Sequence, residues 1–200
     1  MTKQLTYGIF IYEQVAELDF VGPLQVFSAS NLVLGGGSVV TIAQNTEPLR
    51  GAGGLQMIPD YRFDNAPELD VLLLPGTADI HEYALGDDNA INWVQKQFEK
   101  VDYMTAVCTG SLILQKAGLL KGRKATTHWM LMDFLKNDPE VKERPDMRYV
   151  RDGKVVTSQG ISAGIDMALW LTGEIYTPDH ARQVRKILQY DPAPPYAADV

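Results

Sequence analysis

Cysteine is nearly absent from this sequence, because Cys108 is the only one among 200 residues. One cysteine cannot form a disulfide within the chain, which favours a reducing compartment. The first residues, MTKQLTYGIF, also lack the basic start, the long apolar run and the small-residue cleavage site of a secretory signal. We therefore expect a cytoplasmic protein.

Long hydrophobic runs and an excess of basic residues are missing as well. The longest apolar stretches, such as VLLLPG at residues 71–76, have the length of a β-strand and end in turn residues. The chain has 18 Lys and Arg against 25 Asp and Glu, a formal net charge of −7. Binding DNA or RNA requires clustered Lys and Arg. We expect neither a membrane nor a nucleic-acid partner.

The sequence does contain regularly alternating strand-like and helix-like segments. Strands are predicted at residues 5–12, 38–44, 70–74 and 102–107, a hairpin or two short extended segments at 49–58, and a hairpin at 148–158. Helices are predicted at 24–32, 89–100, 109–117, 162–176 and 178–189, with a further helix ending near residue 135. Such alternation predicts an α/β fold with a mainly parallel sheet and helices on both faces. We expect one domain over residues 1–200, with an extended proline-rich tail at 191–196.

Cys108 is the strongest candidate for chemistry. The segment Ala-Val-Cys-Thr-Gly-Ser at residues 106–111 places the thiol between an apolar strand and the first turn of a helix, which is typical of a nucleophile elbow. The start of a helix offers unpaired amides and a partial positive charge, and both favour a thiolate. The alternative is a buried structural cysteine.

Asp19 is the predicted partner of this cysteine. It follows the first strand, so its carboxylate is expected at the same edge of the sheet as Cys108. Repulsion by a thiolate would raise the pKa of Asp19 and suit it to act as a general acid. The alternative is that Asp19 caps a first helix opened by the Gly22-Pro23 turn.

Two further segments are weaker candidates. Pro75-Gly76-Thr77 ends another strand at the same edge, and amides there and at Thr109 are expected to bind developing negative charge, unless this is an ordinary turn. His128 is the nearest candidate for a base acting on the thiol, although a histidine beside a tryptophan is more often simply packed. We expect no metal site, because no histidine has a partner at metal-ligand spacing, and no nucleotide, because the glycine clusters match no phosphate-binding pattern.

A set of short motifs distributed over the chain carries a family resemblance. They are Leu18-Asp19 with Gly22-Pro23, Leu73-Leu74-Pro75-Gly76, Val107-Cys108-Thr109-Gly110, Ala117-Gly118-Leu119-Leu120 with Gly122, Ala125-Thr126-Thr127-His128-Trp129, and Gly160 with Ser162-Ala163-Gly164-Ile165-Asp166. With them the chain resembles the PfpI superfamily, relatives of the Parkinsonism-associated deglycase with a class I glutamine amidotransferase-like fold. Within that superfamily it is most similar to the isonitrile hydratases and to the ligand domains of certain AraC-type regulators.

This resemblance implies a flavodoxin-like three-layer sandwich, a cysteine nucleophile elbow and a set of site residues. Cys108 would be the nucleophile, Asp19 an essential carboxylate and Thr109 a supporting hydroxyl. The residues expected to bind substrate or an oxyanion are Gly76, Thr77, Gly110, His128 and Ile161. The resemblance also implies a homodimer, a small-molecule substrate and no cofactor. Peptidase-like members have histidine directly after the cysteine, so Thr109 argues against a protease.

The resulting hypothesis is an isonitrile hydratase-like carbon–nitrogen lyase. Asp19 would protonate the terminal carbon of an isonitrile while the Cys108 thiolate adds, and water would convert the thioimidate into an N-substituted formamide. Two alternatives stay open. One is a non-catalytic sensing domain of the AraC-associated type, and the other is a deglycase, a glyoxalase or a redox-responsive protein that uses the same thiol.

Overall fold

The computed structural model of the protein describes residues 3–191. The strands are β1 (Thr6–Phe10), β2 (Ser38–Ala43), β3 (Leu49–Arg50), β4 (Gln56–Met57), β5 (Tyr61–Arg62), β6 (Val71–Leu74), β7 (Tyr103–Val107), β8 (Lys124–Ala125), β9 (Lys142–Glu143), β10 (Tyr149–Asp152) and β11 (Val155–Ser158). The helices are α1 (Glu17–Leu34), α2 (Asp88–Lys100), α3 (Gly110–Lys116), α4 (Met132–Lys136), α5 (Ala163–Ile175) and α6 (Pro178–Ile187), with a π-helical turn at His81–Leu85 and a 3₁₀ turn at Trp129–Leu131.

Seven of these strands form the central sheet, in the order β10-β11-β7-β6-β1-β2-β5. All neighbouring pairs are parallel except β10 and β11, which form the predicted antiparallel hairpin. Helices α1, α5 and α6 pack against one another, and α2 and α3 form a second packed group. The predicted α/β class with a mainly parallel sheet is confirmed.

The sheet order brings the candidate site residues together. Strands β1, β6 and β7 are consecutive neighbours, so their carboxyl ends lie side by side at one edge. The segments that follow these ends contain Asp19, Pro75-Gly76 and Cys108 respectively. In open parallel sheets, ligands bind outside the carboxyl ends of the strands, which is this edge.

The first helix begins earlier than the sequence predicts. Gly22-Pro23 does not open it, because α1 starts at Glu17 and Pro23 lies inside the helix. An interior proline removes one backbone hydrogen bond and crowds the carbonyl four residues earlier, but the buried side chains of Phe20, Val26 and Phe27 keep the helix packed on both sides of it. Asp19 is therefore not a helix cap, and that alternative is wrong.

A close crossing of α1 and α5 fixes where Asp19 lies. A Cβ at Gly22 would be 2.7 Å from Ile165 Cγ1, and one at Gly164 would be 3.0 Å from Val107 Cγ2. Only glycine allows this approach of the two helices to each other and to the end of β7. The crossing packs α1 at Gly22 against the first turn of α5, and that turn packs at Gly164 against the end of β7.

Two observations concern the ends of the chain and membranes. Beyond Asp191, the proline-rich tail predicted at 191–196 lies outside the described residues. Within residues 3–191 no helix is both long and apolar enough to cross a membrane.

Helix α6 is tied to α1 by a buried bond between Ser30 Oγ and His180 Nε2, 2.8 Å long. Burial lowers the pKa of His180 below its ordinary value of 6.5, so the neutral imidazole belongs to the folded state. The stabilisation from a neutral His180 is present above pH 6.5 and is lost as the pH falls below it. We predict that the free energy of unfolding, measured with urea at pH 7.5 and pH 5, falls more in the native sequence than in His180→Gln. Equal losses in both proteins would contradict this.

Candidate active site

Cys108 occupies a sharp turn between β7 and α3. Its φ of +59° is in the left-handed region, which is costly for a residue with a side chain. Hydrogen bonds hold the backbone there on both sides. Its N–H donates to the carbonyls of Ser158 (3.1 Å) and Gln159 (3.3 Å), while its own carbonyl accepts from Ser111 Oγ (3.1 Å) and Thr127 Oγ1 (3.0 Å). The predicted elbow is therefore present, and its geometry is fixed from both flanks.

Asp19 is fully buried beside this turn. Its Oδ2 accepts a hydrogen bond from the Gly76 amide (2.9 Å), while Oδ1 is buried without a hydrogen-bond partner among residues 3–191. Burial raises the pKa of Asp19 to about 6, although the Gly76 amide and the Cys108 thiol both oppose the rise. The raised pKa agrees with the prediction, but its main cause is burial rather than repulsion by a thiolate.

The Cys108 thiol is only 6% exposed and lies against this carboxyl group. Burial raises the pKa of the thiol well above its ordinary value, and the negative charge of Asp19 adds to the rise, which the amide and hydroxyl of Thr109 only partly offset. The Thr109 amide at the start of α3 does favour the thiolate, as expected, but burial and Asp19 outweigh it, so the net pKa shift of the thiol is upward. Near neutral pH the pair holds one proton, and that proton is on sulfur.

The Pro75-Gly76-Thr77 loop does not offer the free amides that the sequence suggested. The Gly76 amide is bonded to Asp19, and the Thr77 amide donates to Thr109 Oγ1 (2.9 Å), which in turn donates to the Thr77 carbonyl (2.8 Å). In this conformation Gly76 and Thr77 position the acid and the elbow instead of binding an oxyanion. The remaining donors are the amides of Thr109 and Gly110, at the unpaired start of α3.

Thr109 likewise has a different role from the expected one. Its single hydroxyl proton is given to the Thr77 carbonyl, so it is not available to a water molecule or to Asp19. We interpret Thr109 as a positioning residue that joins the loop after β6 to the elbow after β7.

His128 and Ile161 lie at the rim of the elbow. The His128 ring packs so closely on Gly160 that a Cβ there would be 2.1 Å from Cδ2, and its Nδ1 accepts from the Met130 amide (3.4 Å). Because this nitrogen is engaged with Met130 and not with Cys108, the geometry gives no support to His128 as a base. Ile161 is 42% exposed and has a φ of +36°, so its side chain is held outward beside Gly160.

Tyr12 is a site residue that the sequence did not single out. Its hydroxyl donates to the Pro75 carbonyl (2.8 Å), directly before the amide that binds Asp19. Burial raises its pKa well above the ordinary value, and the charges of Asp19 and Cys108 add to this, so Tyr12 remains a neutral donor. The position of Tyr12 at the end of the first predicted strand is the sequence signal that could have identified it as a site residue.

Fold and site together define the class: an α/β protein with a cysteine elbow and a buried carboxyl partner. Among the residues that the structure describes, no group of three or more His, Cys, Asp or Glu is arranged to hold a metal. The model of the DJ-1/PfpI family matches residues 8–173, and the chain belongs to that family.

Individual relatives agree with this assignment. The isonitrile hydratase of Pseudomonas putida is 38% identical over 192 residues, which are 96% of this chain and 81% of that protein. A crystal structure of a ThiJ/PfpI family protein from Pseudomonas syringae is 31% identical, with a TM-score of 0.86 over 100% of this chain and 80% of the other. The transcriptional regulator GbdR of Pseudomonas aeruginosa is 28% identical over 144 residues, but these are only 38% of the regulator against 72% of this chain.

Gly76 lies between Asp19 and the turn at Cys108, and we predict that no larger residue is tolerated there. A Cβ there would lie 2.4 Å from Thr109 Oγ1 and 2.7 Å from Thr109 N. Gly76→Ala should lower the free energy of unfolding in urea by about 2 kcal/mol through overpacking. Gly86→Ala is the control, because its nearest neighbour would be 3.6 Å away; equal stability of the two variants would contradict the description.

Asp19 is predicted to make the native protein less stable as the pH rises. Its pKa is about 6 in the folded protein against an ordinary 3.8, so its contribution is complete below pH 3.8 and is lost as the pH rises through about 6. The expected loss is on the order of 3 kcal/mol. Denaturation of Asp19→Asn between pH 4 and 7 should lack this loss, whereas the exposed control Asp146→Asn should retain it. A native-like pH slope in Asp19→Asn would refute the assignment.

Proposed function

We propose that the protein is a cysteine-dependent isonitrile hydratase that converts an isonitrile and water into an N-substituted formamide. The observation that carries this proposal is the buried pair of the Cys108 thiol and the Asp19 carboxyl, with Oδ1 of Asp19 left unpartnered. The similarity to the Pseudomonas putida isonitrile hydratase over 96% of this chain supports the choice of substrate.

The pair suits an isonitrile because that group needs both an acid and a nucleophile at one carbon. The terminal carbon carries a lone pair and accepts a proton, after which it is electrophilic. In our proposal Asp19 takes the proton from the Cys108 thiol and delivers it to this carbon while sulfur forms the C–S bond. The S–H bond breaks, its proton goes to the carbon and its sulfur forms the C–S bond, so the product is a neutral thioimidate on Cys108.

Water completes the reaction. It adds to the thioimidate carbon, and a proton moves to nitrogen as the tetrahedral adduct forms. The C–S bond then breaks, the formamide leaves, and the remaining proton returns to the thiol. The amides of Thr109 and Gly110 are the proposed donors to the oxygen of this adduct, and Thr77 keeps Thr109 in place through the two hydrogen bonds described above.

The proposal predicts how turnover depends on pH. The active state is the pair with one proton, so Asp19 must be ionised to accept the proton of the thiol. Because the pKa of Asp19 is about 6, kcat/KM for an alkyl isonitrile should rise as the pH increases through about 6. A rate that falls over this range would show that Asp19 begins the cycle as a protonated acid.

The decisive experiment follows formamide production from a simple alkyl isonitrile. Cys108→Ala should abolish turnover, and Asp19→Asn should lower kcat by roughly 10²-fold to 10⁴-fold, because it removes the group that transfers the proton. Asp146→Asn, an exposed carboxyl substitution, should keep full activity. Turnover that survives in Cys108→Ala would end the proposal.

A second candidate function is ligand sensing without chemistry. The observation that favours it is the match to GbdR, in which the similar segment is only 38% of a transcriptional regulator. In that case an isonitrile or another small molecule would raise the melting temperature of the protein but yield no product. The Cys108→Ala variant would then bind as well as the native chain.

A further inference from the structure

Glu17, the first residue of α1, binds a glycine-rich turn. The turn, residues 51–55, joins strands β3 and β4. Both carboxyl oxygens of Glu17 accept from the Gly53 amide (2.8 Å each), and Oε1 also accepts from the Leu55 amide (3.2 Å). Backbone amides that converge in this way form an anion-binding nest. The anion in this nest is a side chain of the protein itself.

The turn fits closely around this carboxyl group. A Cβ at Gly51 would lie 2.4 Å from Glu17 Oε1, and one at Gly53 would lie 3.0 Å from Oε2. Partial burial acts to raise the pKa of Glu17, but hydrogen bonds from backbone amides outweigh it, so the pKa lies below its ordinary value of 4.5. The glycine cluster at residues 51–54 therefore encloses an ionised glutamate.

The segment that leads into α1 lies between this turn and the loop after β6. On the side of the turn, the Ala52 amide donates to the Val15 carbonyl (3.0 Å). On the other side, the Ala16 amide donates to the Gly76 carbonyl (2.8 Å), while the Gly76 amide donates to Asp19 (2.9 Å). The start of α1 thus has two partners. The turn, whose residues 52–55 are exposed, is the one that opens more easily.

We propose that Glu17 is a positioning residue for the pair of Cys108 and Asp19. By binding the turn, it holds the start of α1 in place and so keeps the carboxyl group of Asp19 buried against the Gly76 amide. As a statement about turnover, the inference rests on the proposed function, in which Asp19 transfers the proton. As a statement about Asp19, it requires no substrate and is tested without one.

Other titratable groups lie around Asp19 and the turn. The neighbours of Asp19 are Cys108 and Tyr12. At the turn, the Arg50 amide donates to Glu13 Oε2 (3.0 Å). A substitution at position 17 replaces none of these groups. A change in the pKa of Asp19 then reports either the lost bonds to the turn or the lost charge at position 17.

The test is the titration of Asp19 in the full chain, labelled with ¹³C at the aspartate carboxyl carbons. The signal of Asp19 is identified by its absence from Asp19→Asn. In Glu17→Ala, water gains access to this carboxyl group, so its pKa should fall from about 6 towards the ordinary 3.8, to about 5.

A second variant separates bonding from charge. Glu17→Gln removes the charge but keeps an oxygen that accepts from the Gly53 amide, so the pKa of Asp19 should fall by less than half as much as in Glu17→Ala. Equal falls in the two variants would assign the effect to charge and contradict a positioning role. Glu47→Ala, which removes an exposed glutamate from the loop before β3, is the control and should leave the pKa of Asp19 unchanged.

Two further results would overturn the proposal. One is an unchanged pKa of Asp19 in Glu17→Ala, with a native ¹⁵N spectrum outside the turn to show that the variant is folded. The other comes from the native chain and depends on no variant. The Gly53 amide signal should have its main titration step below pH 4.5, the ordinary pKa of a glutamate, and a main step above that pH would contradict an ionised Glu17 in the turn.

Turnover distinguishes this inference from the proposed function. In Glu17→Ala, the rise of kcat/KM for an alkyl isonitrile should move with the titration of Asp19, from about pH 6 to about pH 5. A rise that stays at about pH 6 while the titration moves would contradict the role of Glu17 in the reaction. A native chain without any turnover would contradict the proposed function, whereas the titration of Asp19 would still decide the role of Glu17.

Discussion

The hydrogen bond from the Gly76 amide to the buried carboxyl group of Asp19 is the contact on which the site depends. It connects the segment after β1 with the segment after β6, and Thr109 connects that segment with the elbow after β7 through Thr77. Tyr12 holds the carbonyl just before the Gly76 amide. Three neighbouring strand ends are thereby joined into one rigid unit, with the thiol and the acid fixed against each other.

Burial of this unit determines its electrostatics. A lone carboxyl group near a thiol in water would ionise first and exert little influence, but here both groups are almost inaccessible to solvent, and burial is the largest cause of each raised pKa. The cost of placing two negative charges in one apolar site keeps a proton on the pair. The strained backbone of Cys108 then holds the buried sulfur at the edge of the sheet, beside Asp19.

The sequence was sufficient for features that depend on pattern. Alternating elements predicted the parallel sheet, and the strand-to-helix switch at residues 106–111 predicted the elbow. Other features depend on packing that no local pattern encodes. Pro23 is tolerated within α1 because buried residues on both sides of it hold the helix, and Gly76 and Thr77 direct their amides inward because an acid and a hydroxyl happen to face them. The predicted net shift of the Cys108 pKa was wrong for the same reason, because the start of a helix is visible in the sequence but the extent of burial is not.

A single proton shared by Cys108 and Asp19, resident on sulfur near neutral pH, is the central claim. It is tested most directly by titrating the ultraviolet absorbance of the thiolate in the native chain, with Cys108→Ala as the blank. The account predicts no Cys108-dependent thiolate signal between pH 6 and the ordinary thiol value of about 8.5, and an earlier onset of the signal in Asp19→Asn than in the native chain. A thiolate that appears in the native protein below about pH 7 would contradict it.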